Sequence, residues 1–113
     1  MKTYVIIIVL IGIIYYLWNP YVETCKIYLF HKPSCNYCKE IEPEWVKLEN
    51  KLKNTSLTPI RIDINEPENI KLKKNFKVET VPHIVKVFNN GIRNKFKGTN
   101  TYDDIIEWIY KTD

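Results

Sequence analysis

Two cysteines separated by two residues, Cys35-Asn36-Tyr37-Cys38, stand where an apolar run gives way to a long amphipathic pattern, and no other feature restricts the fold as much. Ahead of them, Lys26-Ile27-Tyr28-Leu29-Phe30 reads as a strand with apolar side chains on both faces. That pattern suits a central strand of a sheet covered by helices. Behind them, from residue 36 to about 53, Tyr37, Ile41, Trp45, Leu48 and Leu52 recur at three- and four-residue intervals and define one buried helical face. Pro43 lies inside that pattern and predicts a kink about one turn in. Two thiols so spaced on a helix's first turn can close into a disulfide, and the spare backbone N–H groups and macrodipole there stabilise a thiolate. Cys35, at the end of the loop, is expected to be the exposed attacker; Cys38, one turn in, resolves a mixed disulfide formed on Cys35. A C-x-x-C is also half of a zinc site, but zinc takes four ligands and only Cys25, His31 and His83 remain as candidates. A redox pair is favoured, with no metal and no organic cofactor.

The remaining pattern continues the alternation of strands and helices. Residues 58–64 alternate, with Ile60, Ile62 and Ile64 on one face, and residues 67–76 read as a shorter, more polar helix turning Ile70 and Leu72 inward. A strand over 83–88, the turn residues Asn89-Asn90-Gly91 and a strand over 92–96 form a hairpin. Thr101 as N-cap with Asp104 three positions on opens a last helix whose inner face is Tyr102, Ile105, Ile106 and Ile109. The order β-α-β-α-β-β-α predicts an α/β fold, a mixed four-stranded sheet with helices on both faces. Trp45 and Trp108 fall at core spacing.

The chain opens on a dense apolar run, from Tyr4 to Trp18, broken only by Gly12. No A-x-A-like cleavage site follows it, so residues 1–19 are expected to be an uncleaved, single-pass membrane anchor. Its 15 residues rise about 22 Å as a helix, short of a hydrocarbon core of about 30 Å. Extension from Lys2, with Tyr15, Tyr16 and Trp18 at the headgroup level, narrows that gap. Lys2 and the α-amino group favour a short cytoplasmic N-terminus. Residues 20–24, with Pro20, form a linker, and residues 25–113 one small domain. A domain of that size buries only about 60–68% of the surface its unfolded chain exposes, so multiple domains, barrels and solenoids are excluded.

Charge adds exclusions. The net charge is +4, but only two of the 17 basic residues are Arg, and basic and acidic residues alternate, so nucleic acid is not an expected partner. Ile, Lys and Asn supply 43 of the 113 residues, a bias of AT-rich coding found in some microbes and large DNA viruses.

Residues 25 to about 110 resemble the thioredoxin fold. Lys32-Pro33-Ser34-Cys35-Asn36-Tyr37-Cys38-Lys39 is similar to the active site of glutaredoxins, whereas Pro43, Thr80-Val81-Pro82, Phe88-Asn89-Asn90-Gly91 and Gly98 look like thioredoxin. The resemblance implies a cis bond at Pro82, packed opposite the cysteines, and a substrate surface of Ser34, Asn36, Tyr37, Val81, Pro82 and His83. Departures are equally specific. Leu29 stands where thioredoxins bury an Asp that moves a proton at the second cysteine, and Ser34 stands where they carry Trp. Their first strand and helix are reduced or absent, which leaves a sheet edge open, or covered by the membrane surface or a partner. Cys25 is either a small buried hydrophobe or an intermolecular disulfide partner, and His31 receives no catalytic part.

The expected function is a membrane-tethered thiol–disulfide oxidoreductase exchanging disulfides with cysteine-containing protein substrates or an upstream redox partner. Leu29 points away from a bulk reductase and toward a dedicated partner. Two alternatives remain: a glutaredoxin-like, glutathione-dependent enzyme or iron–sulfur carrier, and a non-enzymatic adaptor or metallochaperone on the same scaffold.

Overall fold

The computed structural model describes residues 2–18 and 24–111. Helix α1 spans Lys2–Trp18, and strand β1 spans Cys25–His31. Helix α2 follows over Asn36–Lys51, then strand β2 over Leu57–Asp63. A 3-10 turn at Pro67–Asn69 leads into α3, Ile70–Asn75. Strands β3 (His83–Phe88) and β4 (Arg93–Lys95) precede the closing helix α4, Tyr102–Lys111. The sheet order is β2-β1-β3-β4, with β1 parallel to β2 and antiparallel to β3. This is the thioredoxin-type α/β architecture that the order of elements predicts. β1 is internal, as its apolar side chains on both faces require, and β2 is a border strand.

Alternation along β1 feeds two cores. Ile27 and Leu29 pack with Ile41, Trp45, Leu48 and Leu52 of α2 and with Ile105 and Ile109 of α4. Tyr28 and Phe30 point the other way, toward Ile60 and Ile62 of β2 and Leu72 and Phe76 at the end of α3. Ile70 is exposed rather than inward, because the chain there is a 3-10 turn passing into a six-residue helix that shows only Leu72 to the sheet. Tyr37 also departs from the expected core face of α2: it is 67% exposed, since the first turn of the helix projects beyond the sheet. The helix runs unbroken through Pro43.

The hairpin turns at Gly91, whose φ of +89° is the left-handed conformation that glycine adopts without penalty. At Gly98 a Cβ would come within 2.8 Å of the Phe96 ring. The capping of α4 is as the pattern predicts at Thr101, whose hydroxyl accepts the Asp104 N–H at 3.3 Å. The Asp104 carboxylate accepts from Thr99 instead of turning back on the cap. Cys25 is buried at the start of β1.

The leading segment requires a correction. α1 has 17 residues, about 25 Å at 1.5 Å per residue, and its side chains from residue 2 to 16 are exposed. Among the described residues no helix is long and apolar enough to cross a membrane. The single-pass anchor, the membrane as partner and location, and the inferred orientation are therefore withdrawn. The helix stops short of the hydrocarbon thickness that the extension from Lys2 was expected to reach. The linker at 20–24 lies, except for Thr24, outside the described residues, as does the side chain of Trp18.

Candidate active site

Cys35 is the N-cap of α2, with extended backbone (φ −89°, ψ 117°), where the chain leaves β1 and the loop Lys32-Pro33-Ser34. An N-cap side chain accepts a hydrogen bond from the first turn. Here the acceptor is sulfur: the Cys38 N–H donates to Cys35 Sγ at 3.0 Å. That donor and the positive end of the helix dipole both face Cys35 Sγ. The Cys35 thiol also donates to the Val81 carbonyl at 3.6 Å. Val81 precedes Pro82 across a cis peptide bond, and its contact with Cys35 sets this prolyl loop against the first cysteine.

Cys38 sits one turn deeper. Burial, together with its contact to Cys35, pushes its thiol up to about 11, while the backbone and the charge of Lys32 pull the other way. Both cysteines are buried by residue, 7% and 6% exposed, but they border different spaces. Cys35 lines an open groove of about 500 Å³ with Ser34, Asn36, Tyr37 and Val81, flanked by Lys32, Lys73 and Glu79. Cys38 lines a separate cavity of about 290 Å³ with His31, Lys32, Lys39 and Glu42.

The structure thus brings four of the expected substrate residues to the groove with Cys35, and Pro82 to the turn behind it. His83 is not among the groove residues. It is buried edge-on to Phe30, ring centroids 5.7 Å apart, and burial together with Lys95 lowers its pKa below the usual 6.5. Sequence reasoning missed Glu42 and Arg61. Their pairing joins α2 to β2 across 19 positions, and its signal was a lone arginine inside an isoleucine-rich strand. A further hollow, of about 400 Å³, lies against β4 and α4; Phe96, Trp108 and five charged side chains line it, with no thiol. Among the described residues no group of three or more His, Cys, Asp or Glu could hold a metal ion. Cys35 and Cys38 are both free thiols, so the expected disulfide bond is corrected to a dithiol whose sulfur accepts a backbone N–H.

A dithiol at the start of a helix, facing a cis-prolyl loop from the end of a mixed four-stranded sheet, defines a thioredoxin-type site. The chain belongs to the thioredoxin family: the family model described as Thioredoxin matches residues 18–111. It is 30% identical over 94 residues to Bloodstream-specific protein 2 of Trypanosoma brucei brucei, covering 81% of this chain and 18% of that protein. To protein disulfide-isomerase A2 of Mus musculus it is 32% identical over 83 residues, covering 71% of this chain and 16% of that protein. The chain therefore spans less than a fifth of the length of these relatives. The first thioredoxin domain of mouse protein disulfide-isomerase A4 superposes with a TM-score of 0.67 at 24% identity, over 77% of this chain and 61% of the other. The family model is that of thioredoxin and two of these matches are protein disulfide-isomerases, so the glutaredoxin-like character given to the Lys32-to-Lys39 stretch is corrected. With it go the glutathione-dependent and iron–sulfur readings. Family membership supports a general redox role.

Proposed function

We propose that the chain is a protein thiol–disulfide oxidoreductase, its working unit residues 25–113. Cys35 attacks a disulfide in a cysteine-containing protein, forming a mixed disulfide, and Cys38 resolves it by attacking Cys35. The opposite exchange runs through the same two sulfurs. The single observation that carries this reading is the asymmetry of the pair. Cys35 Sγ receives a backbone N–H at 3.0 Å and lines the groove beside Val81, whereas Cys38 sits one turn deeper and its thiol is pushed up to about 11, by burial first. Disulfide chemistry accords with relatives that are protein disulfide-isomerases. Ser34, Asn36, Tyr37 and Val81 would frame an extended substrate segment along the groove, with the Pro82 turn at its edge. His83 supports the sheet behind them rather than touching the substrate.

Replacing Cys38 with Ser tests the roles. The variant is expected to accumulate mixed disulfides with its partners, which vanish on reduction and do not form when Cys35 is also replaced. Mass spectrometry of the trapped complexes names the partners. Iodoacetamide is expected to label Cys35 faster than Cys38 near neutral pH in single-cysteine variants. Absence of trapping, together with failure to exchange a model disulfide, would remove the enzyme reading.

A further inference from the structure

Resolution requires Cys38 to give up a proton, and its position makes that difficult. β1 meets α2 with Ile27 and Leu29, both apolar and sealed, so under the helix it offers Cys38 no acceptor, and its nearest polar side chain is His31 at its end. What Cys38 does border is the cavity of about 290 Å³, whose other polar wall is His31, Lys32, Lys39 and Glu42. A space of that size and polarity accommodates several waters, each occupying about 30 Å³ in the liquid. Glu42 follows Cys38 by four residues on the same helix, which sets their Cβ atoms about 5–6 Å apart. Its carboxylate accepts a hydrogen bond from Arg61 Nη1. Arg61 simultaneously holds Glu49 through Nη2 at 2.6 Å and Nε at 3.3 Å. Arg61 lies on β2 in register with Leu29. Glu42 therefore reaches the cavity from the helix, and Arg61 of the border strand holds its carboxylate.

We propose that Glu42, positioned by Arg61, takes up the Cys38 proton through water in this cavity while Cys38 attacks the mixed disulfide. The inference rests on the oxidoreductase reading above. As the Cys38–Cys35 bond forms, the bond from Cys35 to the substrate sulfur breaks and the substrate leaves as a thiolate. The proton passes from Cys38 to Glu42 and on to solvent. The cysteine pair is oxidised to a disulfide, and the substrate disulfide is reduced to two thiols. Because the transfer accompanies bond formation, a free Cys38 thiolate need never accumulate. The Glu42 side chain is 56% exposed, so it opens to solvent as well as to the cavity. The other charged or titratable groups around it are Arg61 from β2, Lys39 and Glu49 from α2, His31 from the end of β1 and Lys32 from the loop. Of these, His31 is the competing acceptor, while the charge of Lys32 favours negative charge growing on Cys38.

The test is stopped-flow reaction of the reduced full-length chain with dithiobis(nitrobenzoate), followed by release of the coloured thiolate. The first phase, proportional to reagent, reports attack by Cys35. The second, independent of reagent and absent in Cys38→Ser, reports resolution. Glu42→Gln is expected to leave the first phase unchanged and slow the second about tenfold or more, the low end of what a positioned acid or base contributes. Glu42→Gln should also make the second phase rise in proportion to hydroxide across neutral pH, where the wild-type rate depends on pH less steeply, and Glu42→Asp should restore part of both. Arg61→Lys, which keeps the charge but loses the fork, should slow the same phase. A second phase unaltered in rate and pH profile by Glu42→Gln and Arg61→Lys would overturn the proposal, as would His31→Asn reproducing the effect alone. If the wild-type chain shows neither phase, the oxidoreductase reading falls and this inference falls with it; two phases indifferent to Glu42 remove only the inference.

Discussion

Beneath α2 and α4, the side chains of Ile27, Ile41, Trp45, Leu48 and Ile105 are completely withdrawn from solvent. On the opposite side of the same sheet, under α3, only Phe30 reaches that state, while Tyr28, Ile60, Leu72 and Phe76 are packed but partly open. The difference follows from the cover: helices of 16 and 10 residues against one of six. Both cysteines belong to the first turns of the sealed side's helix. The far wall of the Cys35 groove comes from Ile64, Lys73, Glu79 and Val81, around the thinly covered side. The two thiols are thus mounted on the more fully buried face of the domain. The wall a substrate would press against has fewer buried contacts, the condition under which a segment opens at lower free energy.

Substitutions can break or sharpen this contrast. The largest effect expected is from Trp45→Ala, which should cost about 3–5 kcal/mol in urea unfolding as a buried aromatic lost from a sealed core. Phe76→Ala, on the thinner side, should cost about 1–2 kcal/mol, within the ordinary range for point changes. Equal losses in the two variants would show that the faces are equally stabilising and defeat the comparison. Thr101→Ala removes the hydroxyl that caps α4 and should cost about 1 kcal/mol, with amide exchange accelerated in the first turn of that helix.

The smallest effect is a pH dependence from His83, beside Phe30. Its folded pKa lies below 6.5, through burial first and the Lys95 charge second. Below about pH 6.5 the unfolded chain binds a proton that the folded chain refuses, so stability should fall as the pH is lowered through that window. Thermal melts of His83→Asn should lose that part of the acid dependence, and an unchanged slope would show that carboxylates set it instead.

The elements and their order were legible because each is written in a local period: alternation in β2, three-and-four spacing in α2 and α4, Asn89-Asn90-Gly91 in the turn. The cysteine pair was legible for the same reason, being contained within four residues. What escaped depends on where an element ends in space. Tyr37 fits the inner spacing of α2 but lies on a turn that overhangs the sheet, and Ile70 sits where a 3-10 turn has not yet become a helix. The Glu42–Arg61 pairing joins segments 19 positions apart, and no periodicity reports it. The apolar run at the start failed as an anchor on length, a few ångströms that composition does not reveal. The Cys35–Cys38 bond failed because spacing permits a disulfide without stating the oxidation state.

β2 forms one border of the sheet, and Pro59 lies in its middle. A proline is admissible there because a border strand is paired on one side only; in β1 it would cost a ladder bond. Its consequence concerns neighbours rather than stability. A strand from another chain that tried to extend the sheet at this border would find a donor missing at Pro59 and the Arg61 cluster beside it. Among the described residues the sheet has four strands, and its β2 border meets a second copy with one ladder donor missing.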